Sequence, residues 1–331
     1  MRLRRADCSQ QGIRRVRRGR GFSYEDVERR RIEDEETLER VRGLAIPPAW
    51  EEVWICPDPL GHIQATGLDE AGRKQYRYHD GWERRRAARK YEAMREFARA
   101  LPRLRRAVTR DIGREGVPRE RALASAVRLL DLGFFRVGGE EYAEANESYG
   151  VATIRREHVA VGDGEMVFDF PAKSGQRRVQ SVRDPGAIAA VEAMRRRRGG
   201  PADLLAYRED GAWHDVRSSD VNAYIQANAG EGFSAKDFRT WHGTVLAAAA
   251  LAGEPAPKSA AAGRRAVAAA VESVAAALGN TPAVCRASYV DPRVFDRFRD
   301  GETIDPVLGG GGEMTPRVRS RVERQVLALI S

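Results

Sequence analysis

The chain has 331 residues, 42% of them hydrophobic, enough for two domains with real cores. Lys and Arg number 57 against 48 Asp and Glu, a net charge of +9, which excludes an acidic solvating chain and points to polyanions, nucleic acid before membrane. Three widely spaced cysteines give no disulfide or metal framework and suit a reducing cytosol, and no run approaches the ~20 apolar residues of a membrane span.

Residues 1–22 read as an Arg-rich arm, ordered only on a partner if at all. The stretch at 24–50 predicts a short charged helix ended by a Pro-Pro turn. Residues 51–80 alternate apolar and polar, with turns at "PDPLG" and "DEAGR", and predict a small antiparallel sheet. A long basic helix opens at 82, dividing a first domain at 23–86 from a second at 87–331. Pro118 marks a further helix start, with Leu123, Val127 and Leu130 at helical spacing. Strands return over 151–182, where "MVFDF" and "RRVQSV" flank "PAKSGQ" as a hairpin. The remainder reads as helices at 184–197, 203–206, 218–228, 234–252, 259–278 and 281–289, with "VLGGGGEMT" from 307 a flexible link. The fold class is α+β: a small β-rich N-terminal domain, then a larger, mainly helical one holding a three-stranded sheet element.

The chain has no phosphate loop, no H-E-x-x-H, no paired C-x-x-C and no G-x-S-x-G. If it acts on phosphodiesters, arginines must supply the charge stabilisation a metal otherwise gives. Arg136 directly follows a helix end, where a guanidinium can take two phosphate oxygens or simply sit on the surface. Lys173 lies in the hairpin turn, able to donate a proton to a leaving oxygen or to remain a solvated turn residue. In "SAKDFRTWHG", Ser234 and Asp237 form a capping-box-like pair; Phe238, Trp241 and Val245 face the core, and Arg239 stands at its edge, held rigid or snorkelling. In "GNTPAVCRASYVDP" one helix ends at Gly279 and another starts with Thr281 as cap and Pro282 at its first position. Asn280 there can bond a phosphoryl oxygen or assist the turn, and Tyr289 can pack or act as a nucleophile.

Together "RVGGEEYAEANESYG", "FPAKSG", "KDFRTWHG" and "NTPAVCRASYVDP" resemble, in order and spacing, the type IB DNA topoisomerases, most of all the compact poxvirus and bacterial branch. The likeness covers about residues 40–295 and includes "GRKQYRYHDGWERRRAARKYEAMREF" in the first domain. It implies the fold shared by these enzymes and the tyrosine recombinases. Tyr289 is then the nucleophile, Arg136 and Arg239 hold the phosphate oxygens, and Lys173 is the general acid. Asn280 stands where poxvirus members have a histidine, so its role is hydrogen bonding rather than proton transfer. Gln75, Tyr76, Tyr78, Tyr142 and Lys236 match DNA-contacting positions. The implied reaction relaxes supercoiled duplex DNA through a 3′-phosphotyrosyl intermediate, without ATP, metal or other cofactor. The implied enzyme is a cytoplasmic, nucleoid-associated monomer that closes on DNA as a clamp, with no membrane partner. A tyrosine recombinase is the alternative, disfavoured because Lys236 stands where recombinases place a histidine; a DNA-binding architectural protein would leave the Lys173, Arg239, Asn280 and Tyr289 set unexplained.

Overall fold

The computed structural model describes residues 2–306 and 315–331, and the side chains of Tyr142 and Ser174 lie outside that description. The expected link from 307 therefore falls, Thr315 apart, outside the described residues. The described chain forms two compact units, residues 1–91 and 92–331.

The first unit is a five-stranded antiparallel sheet with one helix. Its elements are β1 (Ile13–Arg18), β2 (Gly21–Glu25), α1 (Glu35–Gly43), β3 (Glu51–Ile55), β4 (Ile63–Leu68) and β5 (Lys74–Tyr78), and the strand order is β2-β1-β3-β4-β5. The period-2 pattern sends opposed Ile13, Ile55 and Ala65 to one face, where they form a core with Val53 and with Val41 of α1. The opposite face carries the row Arg14, Trp54, Thr66 and Tyr76. Asp34 caps α1, its carboxylate accepting from the Thr37 amide at 2.9 Å.

Much of the arm expected over 1–22 is instead sheet. Arginines dominate β1 in composition, but Ile13 is buried in the core, and Arg15 turns its guanidinium onto the carbonyls of Pro47 and Trp50 at 3.0 and 2.5 Å. With four arginines in six residues and its two apolar residues three apart, β1 carries no clear strand period, and only its pairing with β2 and β3 reveals it.

A 33-residue helix, α2 (Asp80–Ile112), runs across the division between the units. In the second unit it is followed by α3 (Arg119–Gly133), α4 (Glu140–Asn146), β6 (Val159–Gly162), β7 (Glu165–Pro171), β8 (Arg177–Val182), α5 (Pro185–Arg195), β9 (Ala206–Glu209) and β10 (Ala212–Asp215). Then come α6 (Ser218–Ala229), α7 (Ala235–Ala252), α8 (Ala260–Leu278), α9 (Pro282–Ser288), α10 (Pro292–Arg299) and α11 (Pro316–Leu329). Strands β6, β7 and β8 make the three-stranded antiparallel sheet, β7 burying Met166, Phe168 and Phe170 and turning Val167 and Asp169 outward. The core gathers Phe97, Leu101 and Leu104 of α2, Leu129 and Leu130 of α3, Phe168, and Phe238 and Trp241 of α7, all fully buried.

Two local expectations are corrected. Strand begins only at Val159, after a single 3-10 turn at Arg156–His158. The short helix expected at 203–206 is the approach to a β9–β10 hairpin, whose turn residues Asp210 and Gly211 both have positive φ, 48° and 81°. "DG" between alternating residues is a hairpin signal in its own right. Past residue 300, where the resemblance gave no guide, α11 buries Val322 and Val326. Among the described residues no single helix is long and apolar enough to cross a membrane.

Candidate active site

The site is built on the end of α8. Gly279 takes the left-handed conformation at φ 62°, and the amides of Asn280 and Gly279 bond back to the carbonyls of Ala275 and Ala276 at 2.9 and 3.2 Å. The last carbonyls remain turned outward at the negative end of the helix dipole.

Three guanidiniums take them. Arg178 of β8 donates to the carbonyls of Ala276, at 3.1 Å, and Ala277. Arg239 of α7 donates to Leu278 at 2.8 Å. Arg136 donates to Gly279 at 2.8 Å and to Asn280 Oδ1 at 2.7 Å.

Each arginine is aimed by its own element. Phe134 ends α3 in the left-handed region at φ 55°, which turns the chain so that Phe135 is buried against Phe168 and Phe170 and Arg136 faces α8. The Phe134 carbonyl accepts from Arg239 Nη1 at 2.9 Å, so Arg239 bridges the ends of α3 and α8. The capping box holds, with the Ser234 amide donating to Asp237 at 2.8 Å, and Phe238, Trp241 and Val245 are buried as expected. Arg239 goes further than the expected core edge: it is only 4% exposed.

Tyr289 sits at the end of α9. Thr281 caps that helix by accepting from Val284, Pro282 opens it, and the Tyr289 amide closes it on Cys285 at 2.8 Å. The Asp291 amide donates to Thr244 Oγ1 of α7 at 3.1 Å, and a Cβ on Gly243 would lie 2.4 Å from the Tyr289 carbonyl oxygen. The tyrosine segment is thus seated directly on α7. Its half-buried ring has Arg239 Cζ 5.0 Å from the centroid.

The electrostatics favour an anion. Burial first, then repulsion from Arg136 and Arg178 against the pull of Tyr289, pushes Arg239 down to about 10. Burial and Arg136 lower Arg178 as well. Asn280 Nδ2 is buried without a hydrogen-bond partner among the described residues, its amide oxygen being held by Arg136. Crowded cations beside an unused amide donor suit a phosphate.

The other expected residues are placed separately. Lys173 is exposed in a single 3-10 turn between β7 and β8, closed by the Ala172 amide on Gln176 at 2.8 Å. Lys236 is exposed in the first turn of α7. In the first unit, Tyr76 and Tyr78 stack at 5.9 Å on edge strand β5 with Arg86 over the Tyr78 ring. Gln75 points to the other face of that strand and donates to Asp69 at 2.8 Å. Tyr142 belongs to α4, its side chain outside the described residues. Arg178 was missed by sequence reading, although alternation along β8 puts it on the same face as buried Val182.

Residues 79–300 match the family described as the catalytic core of eukaryotic DNA topoisomerase I, and residues 21–69 match the N-terminal domain of bacterial DNA topoisomerase IB. The chain belongs to the type IB DNA topoisomerases. It is similar to a DNA topoisomerase 1B of Acanthamoeba polyphaga mimivirus, 32% identical over 314 residues that cover 90% of this chain and 94% of the relative. The DNA topoisomerase 1B of vaccinia virus is 20% identical over 265 residues, 78% of this chain and 79% of that protein. A DNA topoisomerase 1 of Schizosaccharomyces pombe aligns over 49% of this chain and 19% of its own length, at 27% identity. The resemblance read from the sequence and the expected fold both hold, and this type IB topoisomerase is an isomerase whose substrate is DNA.

Proposed function

We propose that this topoisomerase relaxes supercoiled duplex DNA by cutting and resealing one strand through Tyr289. The observation that carries the reading is the gathering of Arg136, Arg239 and Asn280 at the end of α8 with the Tyr289 ring against Arg239. The Tyr289 oxygen forms a bond to the phosphorus, its proton passing to water, and the bond from phosphorus to the 5′ oxygen breaks. Arg136 and Arg239 exchange their carbonyl partners for the non-bridging oxygens, whose charge grows in the transition state. The idle Asn280 amide donates to the same group. Lys173 gives its proton to the departing 5′ oxygen, so that strand leaves as a neutral hydroxyl. The 3′-phosphotyrosyl bond keeps the phosphodiester energy, the free strand rotates, and the reverse attack reseals the break without ATP. The guanidiniums of buried Arg239 and half-buried Arg136 supply the charge that a metal would otherwise bring.

Tyr76, Tyr78, Tyr142 and Lys236 are proposed to grip the duplex, and Gln75 to join them by giving up Asp69. The enzyme acts as a monomer whose β-rich first unit and helical second unit both hold one duplex, in the cytoplasm and on the nucleoid. The test is supercoiled plasmid in EDTA without ATP. The parent should relax it and leave protein on the 3′ end of the nicked strand after denaturant quenching, and Tyr289→Phe should do neither. Relaxation by Tyr289→Phe, or a requirement for divalent metal, overturns the reading.

A further inference from the structure

Two adjacent arginines open β8 and behave differently. Arg177 turns outward, its Nε donating to Asp169 at 2.7 Å, and its side chain is 76% exposed. Arg178 turns inward opposite buried Phe170 and is half-buried. Among the described residues no carboxylate pairs with Arg178; its partners are the carbonyls of Ala276 and Ala277 at the end of α8. A desolvated charge without a counter-ion, facing Arg136, is unfavourable for stability alone. The fit is close: a Cβ on Gly279 would lie 2.8 Å from Arg178 Nη1.

The β7–β8 hairpin that carries Lys173 is held at its base on the β7 side. The Tyr149 amide donates to Pro171 at 2.9 Å, and Ser148 Oγ donates to Ala172 at 3.0 Å. On the β8 side the tie is Arg178, which spans from the hairpin to the helix end bearing Asn280. We infer that Arg178 is a positioning residue that docks the Lys173 hairpin onto the end of α8, setting the general acid relative to the phosphate held by Arg136, Arg239 and Asn280. The inference rests on the reading of Lys173 as the general acid.

The experiment compares single-turnover cleavage of two duplexes, one with the ordinary 5′ oxygen at the cut and one with sulfur in that bridging place. Sulfur departs as a thiolate and needs no proton, so a defect in proton delivery disappears with it. General acids contribute about 10²–10⁴-fold, and part of that should be lost in Arg178→Ala, at least about 10-fold on the oxygen duplex. On the sulfur duplex Arg178→Ala should cleave at close to the parental rate. Arg178→Ala combined with Lys173→Ala should be no slower than Lys173→Ala alone. If Arg178→Ala is equally slow on both duplexes while melting like the parent, or as fast as the parent on oxygen, the inference is overturned. If Arg178→Ala does not fold, Arg178→Lys, which keeps a donor, is read by the same ratio of rates, with the same two overturning results. Should Lys173→Ala itself gain nothing from sulfur, it is the general-acid reading that falls.

Discussion

Arg239 is only 4% exposed and holds the carbonyls of Phe134 and Leu278. Those bonds hold the buried guanidinium against the Tyr289 ring, where phosphate oxygens are proposed to replace the carbonyls. Arg239→Ala should therefore slow cleavage by about 10²–10³-fold, the effect of removing one preorganised donor. The role proposed for Asn280 is donation, since its oxygen accepts from Arg136 and its Nδ2 has no partner among the described residues. Asn280→Ala should slow single-turnover cleavage by about 10-fold or more, while Asn280→His, which restores an N–H, should recover most of the rate. Equal rates for parent and Asn280→Ala would remove the amide from the chemistry. These residues were legible in the sequence because their motifs come in order. Arg178 was not, because an arginine after a turn has the same composition whether it faces water, as Arg177 does, or a helix end.

At the scale of elements, the site depends on how α7, α8 and α9 abut. Gly243 of α7 lets the Tyr289 carbonyl approach so closely that an added Cβ would stand 2.4 Å from its oxygen. Gly243→Ala must push the tyrosine segment away from Arg239. Displacements near 1 Å can cost about 10²-fold in rate, so cleavage should fall by at least about 10-fold while duplex affinity, measured by fluorescence anisotropy, stays parental. Unchanged cleavage would show that the segment is not seated on α7 during catalysis. The helix caps at Thr281 and Ser234 were legible as local chemistry. The β9–β10 hairpin was misread because its Asp210-Gly211 turn was passed over, and β1 because a run of arginines hides a strand that only sheet pairing defines.

For the molecule as a whole, the C-terminal helix is locked to the catalytic unit by a buried ionic network. Asp131 of α3 accepts from Arg105 at 2.8 and 2.9 Å and from Arg319 of α11 at 2.6 Å, Glu323 of α11 accepts from Arg105 at 2.6 Å, and His242 of α7 lies 3.3 Å from Asp131. Burial pushes the Asp131 carboxyl up, but Arg319 and Arg105 outweigh it and hold it well below the usual range. A depressed carboxylate adds stability that is complete above its unfolded value near ~4 and fades as pH falls below that. Asp131→Asn, which leaves Arg105 and Arg319 with Glu323 as their shared counter-ion, should lower unfolding stability by about 1–3 kcal/mol at pH 7. The gap between variant and parent should shrink in denaturant titrations below about pH 4. A gap that is constant with pH would mean that packing, not charge, makes the contribution. Asp203 has the opposite sign: burial, then Asp215 beside it, pushes it up to about 6. Asp203→Asn should therefore raise the melting temperature at pH 7.5, by an amount that shrinks as pH falls through about 6 and vanishes only below the unfolded value near ~4.

What this chain's sequence determined by itself was the fold class and the caps and turns that place Tyr289, Asn280 and Lys173, the residues whose part in phosphoryl transfer is proposed from the resemblance. Those are local properties: a left-handed glycine, a proline at a helix start and the period of a strand are each read within a few residues. Only the tertiary structure decided which donors would satisfy the carbonyls at the end of α8. Every helix leaves such groups open, and the arginines that close this one come from 143, 98 and 39 residues away in sequence. Their convergence follows from the packing of α3, β8, α7 and α8 around a common core, and no single segment carries it.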